Sequence, residues 1–499
     1  MRILLCSIVI AAIALLVVPR PLLAEDQPQW GELHTRNMVS QEEGLPDTFN
    51  PETGENVKWE ADLGSKAYGG PIISGGKVLI GADNSSPRDP RRQGDRGVLL
   101  CLDEQTGELE WQLVVPRLEG DVYRDWPGIS ICSPATVEGD RVYIVTSRYE
   151  VVCLDMNGLA DGNDGPYQDE ARHATPSTES VLDLIPIDAD IIWLLDMWVE
   201  GLMYPHDSAH ASILLDGDLL YLNTCNGVDN THAVIRAPDA PSLIVLDKNT
   251  GSLIAQDNEG IGDDIFHSTW SSPAMGRIED RKLVFFGGGN GDLYAFDAVG
   301  PGVAGNIPMM LNRVWRFDCD PTAPTEDIHS YLRNREVSPS NIKSMPVLHE
   351  GRVYVTVGGD VWWGKEEAWL KCVDATTGEE EWAYELQRHC CTTPAIIDGM
   401  AFVADSGGLL HCVDIESGEA FWTHDIEREA WASPYVADGK VYIGTRRGDF
   451  WTLAADREGP RVLGRINLGA PIAGTPSAAN GVLYVPTLSA LFAVELKEK

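Results

Sequence analysis

Apolar and polar residues alternate along most of this chain in short runs. Arg141-Val-Tyr-Ile-Val145, Met400-Ala-Phe-Val403, Lys440-Val-Tyr-Ile-Gly444 and Val482-Leu-Tyr-Val485 show the period of two expected of half-buried strands. Upstream of such runs lie a turn with Gly, a short apolar run and a Ser-Pro or Thr-Pro pair, as at Ser133-Pro134, Thr393-Pro394, Ser433-Pro434 and Thr475-Pro476. Downstream lies a second phrase. It reads Cys101-Leu-Asp-Glu-Gln-Thr-Gly-Glu-Leu-Glu-Trp111, and returns at Val245 to Ala255, Cys372 to Trp382 and Cys412 to Trp422. Asp can accept hydrogen bonds from the backbone two residues on, and Gly supplies positive φ where the chain reverses. The Trp then offers a wide apolar face. The two phrases together predict a four-stranded antiparallel unit of about forty residues, the size of a propeller blade.

Units start near Gly70-Pro71, Ser133-Pro134, His210-Ala211, Ser272-Pro273, Met345-Pro346, Thr393-Pro394, Ser433-Pro434 and Thr475-Pro476. The last has room for three strands, and Val57 to Leu63 reads as a strand with no blade before it. Pairing it with Leu491 to Val494 would close a ring and leave no open edge. The pattern therefore predicts an all-β, eight-bladed propeller over residues 57–499, closed by its N-terminal strand; a capped solenoid is the alternative. Residues 25–56 are an N-terminal extension. Residues 1–24 read as a signal peptide: Arg2, an apolar run from Ile3 to Val18, and Ala24 at a cleavable position. The run is short for a bilayer span, although an uncleaved anchor remains open. Export to the periplasm or the exterior follows, with no transmembrane span after cleavage.

The net charge of −38 argues against a nucleic-acid partner, since phosphate binding requires a basic face. Of ten cysteines, Cys101, Cys153, Cys372 and Cys412 occupy one repeat position and so lie too far apart to pair. They are expected to act as small buried apolar residues.

The Asp-x-x-Thr-Gly-Glu-x-x-Trp phrases resemble the repeats of quinoprotein alcohol dehydrogenases and of BamB-like outer-membrane-assembly lipoproteins. Phe317-Asp-Cys-Asp-Pro321, Arg333-Asn334 and Arg352-Val-Tyr-Val355 resemble a group of exported planctomycete-type quinone-repeat propellers. The resemblance implies the propeller fold; function must be argued from sites. It also raises pyrroloquinoline quinone with calcium as a possible cofactor. Asn290, in Phe286-Gly-Gly-Gly-Asn290-Gly-Asp292, is similar to the calcium-binding Asn of the dehydrogenases, although an ordinary tight turn has the same composition. Cys390-Cys391 is similar to their adjacent-cysteine disulfide, but it falls in the sixth blade rather than early in the chain. Two free buried thiols are the alternative.

Blade geometry brings the loops entering the innermost strands together at one end of the central channel. That selects His206, His210, His267, Trp270, Lys343, His389 and Trp431 as ligand-binding candidates, with Tyr68, Cys132 and Asp207 beside them and His232 on a neighbouring loop. The histidines could hold a transition metal or line a wet channel. Asp155, Asn157, Asp161 and Asn163 form a stretch of hard oxygen donors suited to calcium, without EF-hand spacing. Long loops at Asp83 to Gly97, Thr224 to Pro241 and Gly359 to Ala368 crowd the same face as the histidines. A further excursion, Ala171 to Pro186, is expected on the opposite face. Arg88, Arg91, Arg92 and Arg96 would hold an anion or pair with local carboxylates, and Trp362-Trp363 would suit stacking on a sugar or peptide. The first functional reading is a non-catalytic platform that binds a small molecule or a protein on the loop-rich face. The alternatives are a quinone-dependent oxidoreductase and a metal-assisted hydrolase or lyase.

Overall fold

The repeated turn sets the blade, and its Asp is the anchor. The carboxylate of Asp103 accepts from the backbone N–H groups of Gln105 and Thr106, and Asp247, Asp374 and Asp414 hold their own turns the same way. The strands on either side pair antiparallel. The computed structural model describes residues 25–497 except 301 and 303–306, so the signal segment lies outside the described residues. It contains eight antiparallel sheets. Blade 1 runs through Ile72–Ser74, Lys77–Asp83, Arg96–Asp103 and Leu109–Pro116 from the inside outward. Blades 2 to 7 repeat this order and end in outer strands Ile191–Asp196, Leu253–Gln256, Arg313–Asp318, Glu380–Leu386, Ala420–Asp425 and Val462–Asn467. In blade 8 the outer strand is Val57–Asp62, which pairs with Ala490–Val494 in the register Trp59 to Ala493 and Ala61 to Leu491. The ring is closed by the N-terminal strand, as the orphan strand predicted.

The second half of the repeat phrase docks one blade onto the next. Trp59, Trp111, Trp193, Trp315, Trp382 and Trp422 each donate Nε1–H to a turn carbonyl of the following blade, namely Glu104, Met156, Lys248, Ala375, Ile415 and Asp456. Glycine is needed at the turn for two reasons. Gly158 and Gly418 have positive φ, and a Cβ there would fall 2.9 and 2.7 Å from the rings of Trp111 and Trp382. Two blades lack the Trp and are filled otherwise. Gly464 of blade 7 faces the backbone of Asp47, and neighbouring Phe49 packs on Phe450 and Phe492. Ala255 of blade 3 pairs with Met309 of an added two-residue strand, Met309–Met310.

The Ser/Thr-Pro phrase does the corresponding work at the channel. Backbone N–H groups of Ala211, Ser212, Met345, Thr393 and Ser433 donate to the hydroxyls of Ser133, Ser272, Thr393, Ser433 and Thr475 in adjacent blades.

The extension over residues 25–56 was expected only as an appendage, yet residues 27–40 thread across the inner strands at the end of the channel away from the long loops. Backbone bonds tie Gln27, Pro28, His34, Thr35 and Met38 to Ile73, Val137, Met275, Leu348 and Val436 of five blades. The fully buried guanidinium of Arg36 donates to the carbonyls of Pro273 and Ser212, and Asn37 exchanges two hydrogen bonds with Ile396. The channel is therefore plugged from below.

The excursion between the third and fourth strands of blade 2 departs from expectation. It leaves the lower edge, but a short helix at Glu170–His173 carries it upward until His173 meets Glu150 at 2.9 Å. Ala174 and Glu179 then meet Arg92 and Arg96 of the Asp83 to Gly97 loop. Its far end pairs Asp188 with Gln112 of blade 1. The arginine cluster is neutralised locally: Arg91 pairs with Asp89, Arg92 with Asp188, Arg96 with Glu179 and Arg88 with Asp62.

Candidate functional site

On the loop-rich face the eight inner-strand loops surround a cavity of about 550 Å³ at the channel mouth. Trp30, from the plug, forms part of its lining, so the cavity is blind. Its walls are aromatic: Tyr68, Tyr123, Trp126, Trp270, Trp362, Trp363 and Trp431. Arg446 stacks on Trp431 at 3.9 Å, and Trp270 and Trp362 approach edge to face at 5.6 Å. Asp207, Ser208, His210, His232, His267 and Lys343 supply the polar positions.

Asp360 organises the cavity wall. It is fully buried on the Gly359 to Ala368 loop. One carboxylate oxygen accepts from the backbone N–H groups of Trp362 and Trp363, which fixes the loop. The other receives Nδ1–H of His267 at 3.0 Å, faces Lys343 Nζ at 2.8 Å, and is 3.3 Å from Asn341 Nδ2. Burial opposes ionisation, but the charges of Lys343 and His267 hold this carboxyl well below the usual range. An ionised Asp360 requires His267 to donate from Nδ1, which turns Nε2 into the site.

That nitrogen meets others. His206, His232 and His267 each place one ring nitrogen within 4.8 Å of the rest. Asp207 Oδ2 lies 3.6 Å from Nε2 of both His206 and His267. The local chain is built for this approach. A Cβ on Gly227 would stand 2.9 Å from both His206 Cβ and the His267 carbonyl, so glycine lets the Thr224 to Pro241 loop close over them. Tyr149 anchors the loop below by donating its hydroxyl to the His206 carbonyl at 2.7 Å. Burial, reinforced by His267, pushes the His206 imidazole down to about 3, so it is neutral at physiological pH.

The sequence candidates separate as follows. His210, Trp270, Lys343, Trp431, His267 and Cys391 line the cavity, and His206 stands directly behind it. His210 does not join the imidazole cluster, because its Nε2 bonds Ser208 Oγ at 2.9 Å and its ring packs on Trp270. His389 is displaced to a small depression with Arg335, Glu366 and Arg388. Cys390 and Cys391 are free thiols; Cys390 donates to the Ala404 carbonyl, and burial raises the two to about 11 and about 12. Asn290 lies in the turn between the second and third strands of blade 4, where it donates to Asp292 and Tyr294, away from the channel mouth. Asp155, Asn157, Asp161 and Asn163 do not converge. Asp155 caps its own turn and pairs with Arg141, Asn157 bonds Asp161, and Asn163 bonds Glu170. Trp30, Tyr123, Trp126 and Asp360 were not singled out from the sequence.

The family model described as outer membrane protein assembly factor BamB matches residues 38–162, 312–427, 366–459 and 406–494. These spans cover more than half of the chain. The protein belongs to the BamB-type quinone-repeat family. His206, His232 and His267 fall between the matched spans, whereas Asp360 falls within one. Similar solved structures include BamB from Moraxella catarrhalis, 13% identical, spanning 88% of this chain and 99% of that one with a TM-score of 0.50. Another is the computationally designed Ika8 protein, 12% identical, spanning 92% and 99% with a TM-score of 0.50. Both likenesses concern the fold. No curated protein matches the sequence. Among the described residues no helix is long and apolar enough to cross a membrane.

The quinone and calcium raised by the family resemblance do not fit the residues at the channel mouth. Calcium takes hard oxygen ligands, and here the convergent donors are imidazoles. Asn290 is elsewhere. Pyrroloquinoline quinone is a tricarboxylate, and the charge of Lys343, the cavity's own cation, is already held by Asp360.

Proposed function

We propose that this BamB-type propeller is an exported binding protein whose blind cavity captures a small, uncharged, ring-bearing molecule, with sugar rings as the best match. The observation that carries this reading is the aromatic lining of a cavity closed below by Trp30. Pockets of this size are typically apolar with a few placed polar groups. Indole faces suit the C–H faces of a sugar ring, and Ser208 and His210 offer partners for its hydroxyls. A chain of net charge −38 would repel an anionic ligand. Export rests on the leader read over residues 1–24.

Calorimetric titration with a panel of neutral oligosaccharides tests this reading. Saturable heat with at least one of them, abolished in Trp362→Ala, is expected. Submicromolar, calcium-dependent binding of pyrroloquinoline quinone, with no response to any sugar, would overturn it in favour of the oxidoreductase.

A further inference from the structure

The buried imidazoles behind the cavity wall go beyond ligand stacking. We infer that His206, His232 and His267, with Asp207, form a binding site for a divalent transition metal of the zinc class. Zinc holds imidazole and carboxylate ligands at roughly 2.0–2.2 Å in a tetrahedron, which sets neighbouring ligand atoms about 3.4 Å apart. Asp207 Oδ2 already stands 3.6 Å from Nε2 of His206 and of His267. Three imidazoles with a carboxylate are the donor set that zinc, copper, nickel or iron accept and that magnesium and calcium do not favour.

Two further observations point to a ligand at this place. His206 is fully buried, and neither of its ring nitrogens has a hydrogen-bond partner among the described residues; His267 Nε2 and Asp207 Oδ1 are likewise without one. Such groups are costly to bury unless something pairs with them. His267 is also prepared in the manner of a metal ligand: its Nδ1–H is held by the buried carboxylate of Asp360, which fixes the tautomer and strengthens Nε2 as a donor.

His232, His267 and Asp207 also line the cavity. A bound metal would therefore sit in the cavity wall within reach of a captured molecule. The site is carried by residues other than the stacking tryptophans, so it stands or falls separately from sugar capture.

The test uses the full mature chain, stripped with a chelator, dialysed and titrated with Zn²⁺ by calorimetry. Co²⁺ is added in parallel and read by its visible spectrum. One equivalent of Zn²⁺ is expected, together with the intense Co²⁺ bands of low coordination. His206→Ala and His267→Ala should weaken binding at least 100-fold. Asp360→Asn should weaken it by roughly 10–100-fold and shift the Co²⁺ bands, as loss of an outer-shell partner does. Trp431→Ala should bind metal as wild type does, even if it captures no sugar. His232→Ala, on the long loop, keeps the test decisive if a core histidine variant fails to fold. Absence of a stoichiometric Zn²⁺ site in the wild-type chain would overturn the inference. So would equal affinity in folded His232→Ala, or a Co²⁺ spectrum of six-coordinate ions on surface carboxylates.

Discussion

At the scale of single residues, the repeat phrase acts as an inter-blade clamp, and that makes its parts testable. Trp111 is almost fully buried, hydrogen-bonded to Met156 and in contact with the Gly158 turn of the next blade. Trp111→Ala is expected to cost about 3–5 kcal/mol in chemical denaturation; a loss below about 0.5 kcal/mol would mean the clamp is idle. Gly158→Ala should also destabilise, since its Cβ would enter the Trp111 ring at a positive φ. Glu150 provides a pH-dependent case. Burial opposes its charge, yet His173, Arg148 and Thr146 outweigh burial and hold its pKa down to about 2. A depressed folded-state pKa contributes stability that is present above about pH 4.5 and is lost as the pH falls toward 2. The melting-temperature gap between wild type and Glu150→Gln should therefore be open at about pH 5 and close as the pH falls toward 2. A gap that stays constant to pH 2 would show that the charge of Glu150 contributes nothing. These residues also show why local features were legible in the sequence. Asp103, Gly107 and Trp111 act within a few positions of one another, so their spacing carries their role. Asn290 was ambiguous for the same reason, because a tight strand turn and a calcium-binding loop ask for the same glycines and amide.

At the scale of elements, two segments of the N-terminal region have separable tasks. Val57–Asp62 completes blade 8, and without it Ala490–Val494 becomes an unpaired edge. Removal of residues through 63 should give a chain that aggregates and melts at lower temperature; an unchanged melting temperature would contradict closure by this strand. Residues 27–40 instead plug the channel, with Arg36 bridging the inner strands of blades 3 and 4. Arg36→Ala should lower the melting temperature, because buried carbonyls at Pro273 and Ser212 lose their donor. An unaltered melting temperature would show that water replaces the guanidinium at no cost. The closing strand could be read from its alternating pattern and from the count of strands in blade 8. The plug could not. Residues 27–40 make scattered backbone contacts with blades remote in sequence, and no periodicity announces such a segment. The excursion within blade 2 was legible as an insertion, but its upward course depends on the pairing of His173 with Glu150 across 23 residues.

At the scale of the whole molecule, the ring converts distant positions into one cavity. Tyr68, Trp270, Lys343, Cys391 and Trp431 come from five blades and meet only because the ring closes. Blade geometry made these positions readable, since every loop into an inner strand must reach the channel mouth. Asp360 was not readable: its loop was noted, but nothing in Gly359-Asp360-Val361 distinguishes a buried hub from a solvent-exposed turn acid. The central claim is that the aromatic cavity is the binding site. Its most direct test is the intrinsic tryptophan emission of the mature protein, titrated with neutral oligosaccharides and methyl glycosides and repeated with Trp431→Ala. A saturable shift with at least one sugar, lost in a variant that melts as wild type does, is the expected result. No shift with any sugar, or a shift of equal size and affinity in Trp431→Ala, would contradict the claim.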